Sequence, residues 1–262
     1  MLRSNYETWH RAQSAFYEKA AHDENHLSAP LIALVEKDLD AKAVLERRKQ
    51  ALKEYPHVRR PSVPAWGHDE VVPGSLILFK APAYDYELID NHGGDSSVSK
   101  RDGDMDAQCT TFGSGGQTRS SATAIGIHFV PISRRLIVRF SAFVKYSYSW
   151  LLNSYGRQAI GKGVIGLQLH SWDLNGGDFR RELDLAHTLW QDRTTLFASD
   201  SDSGEDLLLP PNFSSYYFLS EVRQYAHWVY AWVLVYADEG GIFGSHARAE
   251  LVVTVPFVVI EQ

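Results

Sequence analysis

The sequence predicts a mainly β protein, an antiparallel β-sandwich of the jelly-roll or Greek-key type preceded by an N-terminal α-helical hairpin. Three observations support this fold class. The 262-residue chain changes from a helical spacing of apolar residues to a period of two after a proline-rich stretch. Aromatic residues make up 12% of the chain, a content that suits strands more than helices. About eight segments of strand length follow the proline-rich stretch, which is typical of a sandwich.

The first 55 residues predict two helices. Ser4 begins a capping-box pattern, and apolar residues at helical spacing follow over residues 5–21. Ser28 can cap a second helix, whose apolar stripe extends over residues 31–52. Two such helices form a hairpin. It either covers one end or face of the following domain or serves as an oligomerisation or docking element.

Residues 56–74 are predicted to be a linker, because they contain four prolines and two glycines. Proline fixes φ and removes a backbone donor, so this stretch favours neither a helix nor a central strand. The linker divides the chain into a helical hairpin over residues 1–55 and a β-sandwich domain over residues 75–262.

Strands of this domain are predicted from period-two alternation and from apolar runs. In residues 135–150 apolar and mainly polar side chains alternate, which indicates one buried and one wet face. Residues 225–236 are apolar on both faces, so we expect a central strand whose aromatic row, including Trp228 and Trp232, lies in the core. Two polar stretches, 91–106 and 200–206, are predicted to be loops. The predicted strands are 75–89, 121–130, 135–150, 160–173, 180–190, 213–224, 225–237 and 247–260.

Charge and hydropathy exclude two classes of partner. The formal net charge is −6, and residues 61–262 carry 15 Lys or Arg against 23 Asp or Glu. Phosphate binding needs a basic patch, so no nucleic acid partner is expected. No window approaches the roughly 20 uncharged residues that span a bilayer, so no membrane span is expected. The first residues lack the apolar region of a Sec signal, and Cys109 is the single cysteine, which together predict a cytoplasmic protein or one exported by another route.

Motifs of nucleophilic, nucleotide-dependent and zinc-dependent chemistry are missing. The sequence contains no G-x-S-x-G, Walker A, H-E-x-x-H or C-x-x-C pattern, and no G-x-G-x-x-G after a strand. A glycosidase needs two carboxylates close in space, and the order of the strands that would pair them is not visible in one sequence. We therefore assign no catalytic residue.

One acidic stretch has the spacing of a cation site. Asp102, Asp104 and Asp106 alternate along the chain, as carboxylates do when a loop turns them toward one calcium ion. The glycine and the bidentate glutamate of an EF-hand loop are missing, so the alternative is a solvated polar loop. Calcium is the only cofactor that the sequence suggests.

Aromatic residues at strand ends indicate a ligand site. Sugars are held by stacking of their C–H faces on aromatic rings and by hydrogen bonds from their hydroxyls to polar side chains. Rings in such positions also seal the ends of β cores, and this second interpretation stays open. The candidate ligand-binding residues are Tyr146, Tyr148, Trp150, His170, Trp172 and Asp173.

These features predict a soluble β-sandwich binding or interaction protein that recognises a glycan or another small molecule. The first alternative is a structural protein that forms homo-oligomers through the helical hairpin and the sandwich edges. The second is a cofactor-free or metal-assisted enzyme with its site at the mouth of the sandwich. Of the three readings, an enzyme has the weakest support from the motifs.

Overall fold

The computed structural model describes most of the chain after residue 76. The described residues are 77–112, 117–131, 136–154, 158–195, 198–219, 223–237 and 245–262, with single positions at 8, 11, 12, 15, 19, 58 and 60. Apart from those single positions, the predicted helical hairpin and the proline-rich linker lie outside the described residues. In the part that is described, no helix is long and apolar enough to cross a membrane.

Twelve strands form the described domain. They are β1 (Ile77–Lys80), β2 (Tyr86–His92), β3 (Asp95–Ser99), β4 (Asp104–Phe112), β5 (Gln117–Phe129), β6 (Leu136–Asn153), β7 (Ala159–Trp172), β8 (Arg180–Thr194), β9 (Ser199–Leu208), β10 (Ser214–Leu219), β11 (Gln224–Ala237) and β12 (His246–Glu261).

These strands form two antiparallel sheets. The seven-stranded sheet has the order β10-β6-β12-β4-β3, with β1 also pairing with β12 and β9 also pairing with β6. The five-stranded sheet has the order β2-β5-β11-β7-β8. The chain crosses between the sheets from β4 to β5, from β5 to β6 and from β6 to β7, as it does in Greek-key and jelly-roll sandwiches. The predicted antiparallel sandwich is confirmed.

The core lies between the two sheets and follows the alternation of the strands. On β6, Val138, Phe140 and Val144 are fully buried between the sheets, whereas Arg139 and Lys145 on the other face are partly exposed. The alternation in residues 135–150 predicts this arrangement, but Ser141, Ser147 and Ser149, which it places on the wet face, are buried as well.

β11 is the central strand of the five-stranded sheet, and it pairs with β5 and β7 along its whole length. Val229 and Val233 belong to the core between the sheets. Trp228 and Trp232 form a second buried cluster on the outer face of the sheet and are only 1% and 2% exposed. Both faces of β11 are therefore buried, and the aromatic row is not an open platform. The row lies in the second cluster and not, as predicted, in the core between the sheets.

Two stretches predicted to be loops are strands. Residues 91–106 contain the end of β2, all of β3 and the start of β4, and residues 200–206 lie within β9. Both predictions were wrong because, among the described strands, β3 pairs only with β4 and β9 only with β6, and such edge strands tolerate polar residues on both faces. The predicted strand 75–89 is in fact two strands, because the chain passes from one sheet to the other between β1 and β2.

Candidate functional site

The six candidate ligand residues lie in two groups at opposite ends of the sandwich. Trp172 pairs with Gln224 at the start of β11, and His170 and Asp173 are its near neighbours in the chain. Tyr148 belongs to the other group and stacks on Trp190 of β8. Trp190 pairs with Gly163 of β7, and Gly163 pairs with Val233, which lies nine positions after Gln224 on β11. At about 3.3 Å per residue the two groups are roughly 30 Å apart. We call the first group, with the residues around it, the Trp172 site.

Trp172 is the last residue of β7 and is partly exposed on the outer face of the five-stranded sheet. Its indole Nε1 donates a hydrogen bond to Gln224 Oε1 over 3.0 Å. The ring also lies against His128, with 5.8 Å between the ring centroids and an interplanar angle of 34°. These two contacts fix the ring without covering it completely.

Two histidines flank a small residue beside this ring. Ala226 of β11 pairs with His128 on one side and with His170 on the other. His170 is 2% exposed, and neither of its nitrogens has a hydrogen-bond partner among the described residues. Burial, with a smaller contribution from Arg181, lowers the pKa of His170 to about 3. The ring is therefore neutral near pH 7 and offers one donor and one acceptor.

Trp228 lies in the next row of the sheet, in register with Gly126 and Gln168. Its ring stacks on Tyr86 at 5.5 Å and covers Gly126, where an added Cβ would come within 2.7 Å of the indole. Trp228 Nε1, Gln168 Oε1 and His128 Nε2 are also buried without a hydrogen-bond partner in the described part of the chain. Each such atom costs about 1–3 kcal/mol, so several in one patch indicate a place where bound water or a ligand supplies partners.

Asp173 shapes the turn that follows Trp172. Its Oδ1 accepts hydrogen bonds from the backbone N–H groups of Asn175 at 2.9 Å and Gly177 at 2.7 Å. Its own N–H donates to the carbonyl of Gly177 at 2.9 Å. Phe179, where the turn ends, packs edge-on against His170 with a centroid distance of 5.2 Å. Asp173 thus has a structural role in the turn next to the candidate site.

The second group of predicted residues is more deeply buried. Trp150 is 4% exposed and Tyr146 is 7% exposed, both in the core between the sheets. Tyr148 is partly exposed, stacks on Trp190 at 4.9 Å and donates a hydrogen bond to Asp202 Oδ2 over 2.9 Å. Burial and the carboxylate of Asp206 raise the pKa of Tyr146 to about 12. These rings contribute mainly to sealing the core, the second interpretation of aromatic strand ends.

Several residues of the Trp172 site were missed from the sequence, namely Tyr86, His128, Gln224 and Trp228. They come from three strands other than β7, so chain proximity did not connect them. A usable signal is glycine within a strand, which often marks the close approach of a ring. Gly126 faces Trp228 in this way, and an added Cβ at Gly166 would come within 2.2 Å of Tyr230.

The three aspartates proposed to hold calcium do not converge on one point. Asp104 and Asp106 on β4 are ion-paired with Arg60, at 2.8 Å to Nη1 and 2.6 Å to Nη2. Asp102 lies in the preceding turn, where its Oδ2 accepts a hydrogen bond from Ser99 Oγ over 2.8 Å. Among the described residues, no group of three or more His, Cys, Asp or Glu side chains could hold a metal ion.

A cavity of about 330 Å³ lies beside this ion pair, on the outer face of the seven-stranded sheet. Its lining includes Arg60, Asp95, Asp106, Gln108 and Glu250. Much of this polar surface is already paired, because Arg60 binds Asp106 and Gln108 Nε2 donates to Asp95 at 3.3 Å. Among the described residues, the lining of the cavity contains no aromatic side chain, and the cavity lies on a different sheet from the Trp172 site.

No protein-family model and no curated protein matches the sequence. Among solved structures, a carbohydrate-binding module in complex with β-1,4-galactotriose is 10% identical over 68% of this chain and 90% of that chain, with a TM-score of 0.23. The enzymatically active domain of tailspike protein 4 from bacteriophage CBA120 is 9% identical over 71% of this chain and 21% of that chain, with a TM-score of 0.20. An endo-1,4-β-D-xylanase of Clostridium thermocellum with xylohexaose is 8% identical over 59% of this chain and 26% of that chain, with a TM-score of 0.19. Carbohydrate-binding modules recur among these similar structures, but at TM-scores this low the similarity carries no argument, and the sandwich and its site rest on the chain's own geometry.

Proposed function

We propose that this chain binds a glycan at the Trp172 site. The observation that carries the proposal is the partly exposed ring of Trp172, which is held in place by Gln224 and His128. An aromatic ring fixed in this way can stack on the C–H face of a sugar with little further loss of side-chain freedom.

The polar atoms around the ring suit hydroxyl groups. A hydroxyl both donates and accepts hydrogen bonds, and so does the neutral ring of His170, whose two nitrogens have no partner among the described residues. A site that relied on a charged imidazole would favour an anion instead. With one stacked ring and a few hydrogen bonds worth about 0.5–1.5 kcal/mol each, the expected dissociation constant is roughly 10 μM to 1 mM.

A glycan array followed by calorimetry tests the proposal. The full chain should bind at least one oligosaccharide, and Trp172→Ala should weaken binding at least tenfold while the melting temperature changes little. The matched control is Tyr216→Ala, which removes a ring that is 65% exposed on the other sheet and should leave binding unchanged. The proposal is wrong if no glycan binds, or if Trp172→Ala binds as tightly as the natural sequence.

Self-association is the second candidate, and an exposed apolar patch favours it. Ile137 on β6 and Tyr216 and Phe218 on β10 are 65%, 65% and 53% exposed on one face of the seven-stranded sheet. β10 contains no charged residue and pairs only with β6 among the described strands, and such uncharged edges tend to pair with other chains.

Analytical ultracentrifugation tests this second candidate. If β10 forms the contact between copies, Phe218→Lys should convert oligomers to monomers. Leu174→Lys, at a residue that is 60% exposed on the other sheet's end, is the control and should change nothing. A chain that is monomeric at all concentrations rules the contact out.

A further inference from the structure

We infer that the Trp172 site takes the end of a glycan chain and not its interior. The inference rests on the proposed glycan binding and adds the class of ligand. Two features of the structure limit the space around Trp172: the outer face of the central strand β11 is buried beyond it, and an anchored turn lies on its other side.

The buried centre of this face prevents a glycan from lying along β11. Trp228, Tyr230 and Trp232 follow one another along the outer face of β11 and are 1%, 0% and 2% exposed. Partly or fully exposed side chains of this face lie at the end of the sheet, at Trp172, His128 and Tyr86, and along the two edge strands, for example at Leu88 on β2 and Ala186 on β8. A ligand that stacks on Trp172 therefore cannot continue along β11.

The turn over residues 173–179 occupies the side of Trp172 toward β8. Because Phe179 packs against His170 on β7, the turn folds back over the outer face of the sheet. Residues Gly176 and Asp178 have positive φ angles of 86° and 43°, which bend the chain sharply at this point. A sugar stacked on Trp172 meets this turn on one side and has open space only on the opposite side.

Arg223 holds the turn in place. The guanidinium, whose side chain is 6% exposed, pairs with Asp178 Oδ2 over 3.0 Å through Nη1 and donates to the Asp178 carbonyl through Nη2. Hydrogen bonds from Arg180 and then from Arg223 lower the pKa of Asp178, so its carboxylate stays charged throughout the neutral range. Asp178 has a left-handed backbone conformation that residues other than glycine rarely adopt, and these contacts hold it there.

A series of hydrogen bonds connects Arg223 to both sheets. Arg223 Nε donates to Ser171 Oγ over 3.0 Å, and Ser171 Oγ donates in turn to a carboxylate oxygen of Glu182 on β8. The other carboxylate oxygen of Glu182 accepts a hydrogen bond from Tyr217 on β10 of the opposite sheet. A turn connected to three strands in this way is a fixed boundary of the site.

A length series of oligosaccharides tests the inference. Cello-, xylo-, manno- and galacto-oligosaccharides from disaccharide to hexasaccharide are titrated into the full chain by calorimetry. Chain-end binding predicts that affinity stops rising once the sugars at the end are present, and that chemical capping of the recognised end abolishes binding. Affinity that rises steadily up to the hexasaccharide, with no effect of capping, overturns the inference while leaving glycan binding intact.

Two variants test the turn itself. Phe179→Ala and Asp178→Ala remove the packing and the anchor of the turn, and each should allow longer chains to bind at least threefold more tightly relative to the disaccharide. Asp192→Ala, an acidic residue at the far end of the same β8 strand, is the control and should keep the ratio of the natural sequence. If both turn variants keep that ratio too, the turn does not limit the site. If Trp172→Ala has no effect in the same assay, the proposed function fails, and that outcome is distinct from the others.

Discussion

Glycine residues in strands decide where the largest rings of this protein can lie. Gly163 of β7 faces Trp190 of β8, and an added Cβ would come within 2.0 Å of the indole ring. At Gly161, two residues earlier, the nearest atom is the flexible end of Leu152 at 3.1 Å. A side chain at Gly163 would therefore clash with a rigid ring, whereas one at Gly161 would meet only a flexible side chain.

Gly163→Ala should lower the free energy of unfolding by about 1–3 kcal/mol, because the new methyl group forces Trp190 out of its position. Gly161→Ala is the matched control and should change stability by less than about 1 kcal/mol, since Leu152 can move aside. Urea denaturation of the two variants measures the difference. Equal effects would show that Trp190 does not pack on Gly163.

Buried histidines make stability depend on pH. Burial lowers the pKa of His170 to about 3 and that of His227 to about 4, whereas an unfolded histidine titrates near about 6.5. Because the unfolded chain binds more protons below that value, the stabilisation is complete above about pH 6.5 and is lost as the pH falls toward 4. Each histidine adds a slope that approaches about 1.4 kcal/mol per pH unit in this window.

Urea denaturation at a series of pH values from neutral to about 5 checks this slope. The free energy of unfolding should decrease as the pH is lowered, and His227→Gln should reduce the slope by the contribution of one histidine. Loss of the slope in that variant while His170 is intact would assign the whole effect to His227. A free energy that stays constant across this range would mean that both rings are accessible to protons in the folded protein.

At the scale of the elements, the sequence predicts a strand when at least one of its faces is apolar and buried. β6 alternates because one face lies in the core and the other carries mainly polar side chains, and β11 is largely apolar because both of its faces are buried, so both strands were visible in the sequence. β3 and β9 have mostly exposed side chains, and their backbone pairing is supplied by β4 and β6. A search for alternating apolar residues does not detect such a strand, because the strand has no apolar face and is held by hydrogen bonds to its partner.

We do not expect the acidic start of β4 to bind calcium. Arg60 already neutralises Asp104 and Asp106, so calcium would have to displace a guanidinium held by two carboxylates. We expect no heat and no change of the melting temperature at millimolar calcium. Arg60→Gln should leave the two carboxylates uncompensated and make calcium stabilising. A calcium shift in the natural sequence that Asp104→Ala abolishes would instead support the site suggested by the spacing.

At the scale of the whole molecule, the site depends on strand order, which one sequence does not reveal. Trp172, His170 and Asp173 were predicted together because they are close in the chain. Tyr146 and Tyr148 were grouped with them because they lead up to Trp150 at another predicted strand end, yet they lie roughly 30 Å away on the strand spacing. His128 and Gln224 reach Trp172 only through the register of β5 and β11. The strand order and register of the fold decide at which end of the sheet a ring lies.

The outer face of the five-stranded sheet is apolar and aromatic along β11. Trp228, Trp232 and Leu234 point away from the other sheet, yet they are at most 2% exposed. No described strand lies over this face. An apolar aromatic surface of this kind needs a cover in water, and the sequence predicts an amphipathic hairpin in the first 55 residues that can provide it.

Deleting residues 1–55 should therefore expose this face. We expect the tryptophan fluorescence of the shortened chain to shift to longer wavelength, its binding of a hydrophobic dye to increase, and light scattering to show association, while far-UV circular dichroism loses its helical component. Deleting residues 1–27, which leaves the second predicted helix, is the comparison and should give smaller changes if that helix is the cover. A shortened chain that stays monomeric with unshifted emission would show that the hairpin does not cover Trp228 and Trp232. The hairpin would then be left with the docking role that its sequence also allows.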